Sequence, residues 1–121
     1  MVYPMGYNKI MQYKIEIFKT LNSKLPYFEW LDSLDDYDAS KISIRLERLS
    51  LGNFSNCEPV GDGVHEIKLN FGPGYRIYFI AIDAYNILVL NAGLKKTQAK
   101  DIKKAKEYLK DYNMRGKNAK K

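Results

Sequence analysis

Sulfur and imidazole are scarce in this chain. Its 121 residues hold one cysteine, Cys57, and one histidine, His65. A lone cysteine excludes an intramolecular disulfide, and with a single histidine it cannot complete a standard structural zinc site. There is no HExxH, no CxxC and no Gly-rich phosphate loop followed by Lys-Ser/Thr. No metal and no cofactor are therefore expected. Long apolar runs are also missing: none approaches the ~18 residues of a membrane span. The opening "MVYPMGYNKI" lacks the apolar core of a signal peptide. The expectation is a cytoplasmic protein without membrane contact.

Acidic charge is what the C-terminal end lacks. Residues 1–94 carry nine Lys/Arg against eleven Asp/Glu, net −2, whereas residues 95–121 carry eleven against three, net +8. This asymmetry suits a polyanion or an acidic partner, and it equally suits a solvated lysine-rich helix. Hydrophobic residues make up 45% of the chain, enough for a packed core in one domain. Ten tyrosines suit half-buried positions, with the ring packed and the hydroxyl wet.

Residues 1–10 read as a flexible extension, 11–113 as one domain and 114–121 as a flexible basic tail. The run 11–20 alternates Tyr13, Ile15 and Ile17 with Lys14, Glu16 and Phe18, the period of a strand. Pro26 opens a helix over 25–34, with Tyr27, Trp30, Leu31 and Leu34 as its apolar stripe. Asp38 is the expected cap of a second helix, with Ile42, Leu46 and Leu49 buried and Gly52 as its stop. Residues 52–63 read as loop throughout. Two strands follow, 64–71 and 75–83, joined by a turn at Gly72-Pro73-Gly74. A third, "ILVLNAG", is apolar on both sides and is expected at the centre of the sheet. A helix over 95–113, capped by Thr97, closes the domain with Ile102, Ala105, Leu109 and Tyr112 as its stripe.

The predicted class is α+β: a strand, a helical hairpin, three antiparallel strands and a C-terminal helix around one small sheet. The hairpin covers one face. The other face carries Glu66, Lys68, Arg76 and Tyr78, and it stays partly open unless the last helix or a partner covers it. Ile80 and Ile82 would suit either cover.

On this parity Lys68 and Arg76 lie on one side of neighbouring strands and converge across the tight turn. Lys95 and Lys96 follow the last strand at a helix N-terminus, which adds free N–H groups and partial positive charge. Together they form a candidate anion site. Tyr75 and Tyr78 offer rings for base stacking. Glu66 pairs with Lys68 or Arg76, or serves as a carboxylate base. His65 points with Ile67 and Leu69 toward the core, a packed or edge histidine or else a catalytic one.

The element order, "RLERLSLGN" at 45–53, "GVHEIKLNFGPGYRIYF" at 63–79 and "NAGLKKTQAKDIKKA" at 91–105 resemble the RelE/HigB-like toxins of type II toxin–antitoxin modules. The likeness is greatest to the phage-derived addiction-module killer branch and spans roughly residues 13–112. It implies a RelE/ParE-like toxin fold and a ribosome-dependent mRNA endonuclease. It also implies an antitoxin encoded alongside, a helix-turn-helix protein that links the toxin indirectly to operator DNA. The family's arginine at the Gly-Tyr-Arg junction falls on Arg76, and its basic residue on the preceding strand on Lys68. A second basic strand position falls on Glu66, a charge reversal. The basic residue after the last strand falls on Lys95 or Lys96, within a Gly-x-Lys-Lys-x-Gln run that ends at Gln98. The tyrosine that RelE-type members carry near the start of the last helix has no occupant in "AKDI"; Tyr108 and Tyr112 lie further along. His65 and Glu66 echo the histidine and acidic residues of HigB-type members. Two rival readings share the sequence: a gyrase inhibitor of the ParE branch, and a non-enzymatic phage or plasmid accessory protein.

Overall fold

Ile15 and Ile17 turn inward while Lys14 and Glu16 face water, and this alternation makes Lys14–Ile17 the first strand, β1. The computed structural model describes residues 12–119, with side chains described through residue 116; the extension expected over residues 1–10 lies outside the described residues. Pro26, with its fixed φ and no N–H to lose, begins α1, Pro26–Asp32. α2 follows at Asp36–Ser50. Its cap is Asp35 rather than the expected Asp38. Asp35 is extended (φ −67°, ψ 159°) and its carboxylate accepts the Asp38 N–H at 2.8 Å. Asp38 instead sits in the first turn and accepts a hydrogen bond from the Tyr75 hydroxyl at 2.6 Å, a tertiary contact. Gly52 stops α2 as expected, at φ +91° with its N–H on the Leu49 carbonyl.

Residues 52–63 are not all loop. Cys57–Gly61 forms a strand, β2, paired antiparallel with β3, Val64–Leu69. Pro59 disguised it, since proline is excluded from central strands; β2 lies at the sheet edge, where a missing N–H costs no ladder bond. β4, Tyr75–Ala81, and β5, Asn86–Leu94, complete a five-stranded mixed sheet in the order β1-β5-β4-β3-β2. β5 is internal, as its two-sided apolarity predicts, with β1 parallel on one side and β4 antiparallel on the other. The turn between β3 and β4 uses positive φ at Gly72 (+56°) and Gly74 (+80°). That reversal sets Lys68 directly opposite Arg76.

A 3-10 turn, Lys95–Thr97, leads into α3, Gln98–Ala119, which begins later and ends later than the expected 95–113. Thr97 stands just before it, where a cap was expected; its hydroxyl bonds Leu94 and the Asp101 carboxylate. Arg115 holds the far end, donating to the Lys19 carbonyl at 2.8 Å and lying over Phe18. No helix among the described residues is long and apolar enough to cross a membrane.

Two cores result. α1 and α2 pack Tyr27, Ile42 and Leu49 on Ile67, Ile77, Phe79, Ile87 and Val89. α3 packs Ala105 and Leu109 on Val64, Tyr78, Ile80, Leu88 and Leu90, with Phe18 and Ile82 beside them. The last helix is therefore the cover that the second face required. Truncating Ile42 or Leu49, both fully buried, is expected to cost about 2–5 kcal/mol each.

Gly93 fixes how closely α3 approaches. A Cβ there would fall within the Asp101 carboxylate. Gly93→Ala is therefore expected to destabilise the fold by about 1–3 kcal/mol. Gly93→Ala/Asp101→Ala should lose less than the two single variants summed, which denaturant midpoints would measure. A second prediction concerns pH. The hydrogen bond to Asp38, then burial, pushes the Tyr75 hydroxyl up to about 12, and burial alone does the same for Tyr27. Above the ordinary tyrosine value near 10, the folded state then holds protons that the unfolded chain has released. Stability is complete below pH ~10 and falls as pH rises toward ~12. Absorbance titration should show these rings ionising late, with one late ionisation gone in Tyr75→Phe.

Candidate functional site

Beneath the first turn of α3 the sheet face changes from apolar to polar. Two cross-strand rows meet there: Glu66–Tyr78–Asn91 and Lys68–Arg76–Gly93, running over β3, β4 and β5. Asn91 joins this face because β5 carries a bulge: Tyr78 pairs with Asn91, yet the next residue, Phe79, pairs with Val89. The extra residue lets Leu90 and Asn91 both turn toward α3. The Asn91 amide donates to the Asp101 carbonyl at 3.1 Å.

Glu66 is the centre of the cluster and is 1% exposed. One carboxylate oxygen accepts from the Gln98 amide at 2.7 Å; the other lies 3.7 Å from Arg76 Nε. A charge this deeply buried persists only when paired, and Arg76 is its partner. Arg76 is itself 5% exposed, and its Nη1 donates to the Tyr75 carbonyl at 3.0 Å. Nη1 also lies beside Gly74, against whose α-carbon the Lys95 side chain packs. Lys95 and Lys96 are exposed on the 3-10 turn. Lys68, opposite Arg76, pairs with Glu58 of β2 at 2.9 Å rather than with Glu66.

Three buried atoms on this face lack a hydrogen-bond partner within the chain: Arg76 Nε, the Tyr78 hydroxyl and Asn91 Oδ1. Burial, with the Glu66 carboxylate nearby, raises the Tyr78 hydroxyl far above the ordinary tyrosine range. Tyr78 therefore remains a phenol at neutral pH, able to donate and unable to act as a base. Unsatisfied donors this close to a carboxylate are uncommon in packed interiors and cluster at functional sites.

Lys68, Arg76, Glu66, Tyr78, Gln98 and Lys95 are thus brought together. Two of the other expected residues are not. His65 and Tyr75 lie on the opposite face: the imidazole stacks on Phe79 at 5.6 Å, and Tyr75 is held by Asp38. Neither tyrosine presents its ring for stacking, because Tyr75 is 4% exposed and Tyr78 fully buried. Sequence reasoning missed Asn91, Gly93 and Asp101, and gave Thr97 only the role of a helix cap. The signal was present: a polar residue and a glycine interrupt the apolar run "ILVLNAG", where the helix cover is polar. Among the described residues, no three His, Cys, Asp or Glu side chains are grouped to hold a metal ion.

The family model described as "Phage derived protein Gp49-like (DUF891)" matches residues 29–110, which contain the whole of this cluster. An uncharacterized protein of Haemophilus influenzae is 38% identical over 87 residues, covering 71% of this chain and 88% of that protein. The α+β architecture is compatible with a small RelE-like fold. The chain belongs to the phage-derived Gp49-like family, whose members are toxin-like addiction-module proteins.

Proposed function

We propose that the protein is the toxin of a type II toxin–antitoxin module and acts as a ribosome-dependent mRNA endonuclease. The observation that carries this reading is the cross-strand pair Lys68–Arg76, with the Lys95 stem and Arg76 Nη1 both beside Gly74 and with Glu66, held by Gln98, next to Arg76. The chemistry is attack by a ribose 2′-hydroxyl on the adjacent phosphorus. The 2′-O–P bond forms and the P–O5′ bond breaks, leaving a 2′,3′-cyclic phosphate and a 5′-hydroxyl. Negative charge grows on the phosphoryl oxygens, and fixed cations stabilise that charge more than the ground state.

Arg76 suits the task because its planar fork matches two phosphate oxygens and keeps its charge. In the free protein Glu66 occupies that role. The 3.7 Å between Oε1 and Nε is long for a hydrogen bond, so Nε keeps a donor direction free for a phosphate oxygen while Glu66 stays nearby. Glu66 is a carboxylate base for the 2′-hydroxyl proton. Tyr78 donates, and Lys68 and Lys95 hold the RNA backbone. The ribosome presents the message. A helix-turn-helix antitoxin neutralises the protein and couples it to operator DNA.

Induction in a growing culture should arrest translation and produce new 5′ ends within translated messages. DNA damage without such ends would assign the chain to gyrase inhibition instead. At the site, Arg76→Ala is a poor probe, since stranding Glu66 in the interior costs about 3–5 kcal/mol. Arg76→Lys retains the ion pair and loses the fork. It is expected to fold normally and to cleave ribosome-bound message about a hundredfold more slowly, or worse, as for loss of one transition-state contact. Undiminished cleavage by folded Arg76→Lys would remove Arg76 from the mechanism.

A further inference from the structure

α2 has a second apolar stripe that the fold leaves uncovered. Ile42 and Leu49 face the sheet and are fully buried. On the outer side Tyr37, Lys41, Ile44, Arg48 and Leu51 follow one another at spacings of four, three, four and three residues. The apolar three recur every seven residues, the period of one position in a helix–helix seam, with a cation between each pair. All five are exposed, Tyr37 at 72%, Ile44 at 48% and Leu51 at 49%. Tyr37 and Ile44 on the helix, with Leu51 at its C-cap, place three large exposed apolar side chains in one line rather than scattered over the surface.

The cations between them define the partner. Neither Lys41 nor Arg48 has a carboxylate within salt-bridge distance among the described residues; Lys41 lies over the Phe71 ring at 4.1 Å. Both also line a groove of about 260 Å³ between α2 and the end of β3, alongside Arg45. Arg45 is held at the rim by two loop carbonyls, those of Asn53 and Ser55. No acidic residue lines that groove among the described residues. A second copy of this chain is a poor occupant, because pairing α2 with α2 brings Lys41 and Arg48 against their own kind. A nucleic-acid backbone would use the cations and leave Tyr37, Ile44 and Leu51 in water.

We propose that this face of α2 docks an acidic amphipathic helix of a partner protein. The helix sets apolar side chains against Tyr37, Ile44 and Leu51 and carboxylates against Lys41 and Arg48. The partner is the neutralising protein of the module, so the assignment rests on the toxin–antitoxin reading. The surface lies on the opposite side of the sheet from the cover of the Arg76 cluster.

The test uses the full chain and the protein product of the adjacent reading frame. Amide exchange of residues 37–51 should slow in the complex. Ile44→Glu and Arg48→Glu should each weaken association about tenfold or more while melting as the unaltered chain does. A complex that still rescues growth but leaves α2 exchange and both variants' affinities unchanged would overturn the docking face and leave the toxin–antitoxin reading intact. Absence of both complex and rescue would overturn the two together. Equal protection of α2 by a short single-stranded RNA, or by self-association of the free chain, would assign the stripe to those occupants and overturn the proposal. Exchange on the unaltered complex decides the matter even if a variant folds poorly.

Discussion

The far face of the sheet depends on one close approach, that of the α3 first turn to Gly93 over the Glu66–Arg76 pair. A lysine-rich helix gains little from covering lysine, arginine and glutamate unless their charges are already satisfied. Arg76 neutralises Glu66, Gln98 takes its second oxygen, and Asn91 ties the sheet to the Asp101 carbonyl. Gly93 provides the space that the Asp101 carboxylate needs. With that turn seated, Ala105 and Leu109 reach Val64, Tyr78, Ile80, Leu88 and Leu90, and the second core closes. The polar and apolar halves of this face therefore form together.

The same contact fixes Arg76, which is buried, paired with Glu66 and bonded to the Tyr75 carbonyl. Incomplete satisfaction is the counterpart: Arg76 Nε, the Tyr78 hydroxyl and Asn91 Oδ1 are left without partners in the free chain. Two of the three lie beside the Glu66 carboxylate, Arg76 Nε at 3.7 Å and the Tyr78 hydroxyl, which Glu66 helps to keep protonated.

Much of this was legible in the residues. The period of two through β3 and β4, with the glycines at 72 and 74, set the register that places Lys68 opposite Arg76. β5 read as internal because both its sides are apolar. β2 was invisible because Pro59 and its neighbours carry turn chemistry, and only its position at the edge makes it a strand. The cap of α2 moved from Asp38 to Asp35, and Asp38 is instead taken by Tyr75, 37 residues along the chain and brought near by the sheet. The co-location of the basic residues was legible from local turns. Their burial was not, since it depends on how near a separate helix can come, and that is decided by one missing Cβ and a bulge.

α2 shows how the two sides of one element can be read separately. Its inner stripe is at the spacing of a core helix, and full burial of Ile42 and Leu49 accounts for it. Its outer stripe has the same regularity and no burial to account for it. An exposed isoleucine alone would mean little. Here Tyr37, Ile44 and Leu51 recur in register with two cations that the described chain does not neutralise. A helix needs only one apolar side to fold against its own sheet, so burial against the sheet does not explain the second, regularly spaced side. Basic residues stand in several settings: Arg76 is paired inside the sheet–helix interface, Lys68 pairs with Glu58, and loop carbonyls hold Arg45. Lys41 and Arg48 are set between apolar neighbours with no carboxylate in salt-bridge range among the described residues, and the proposed docking rests on that pattern.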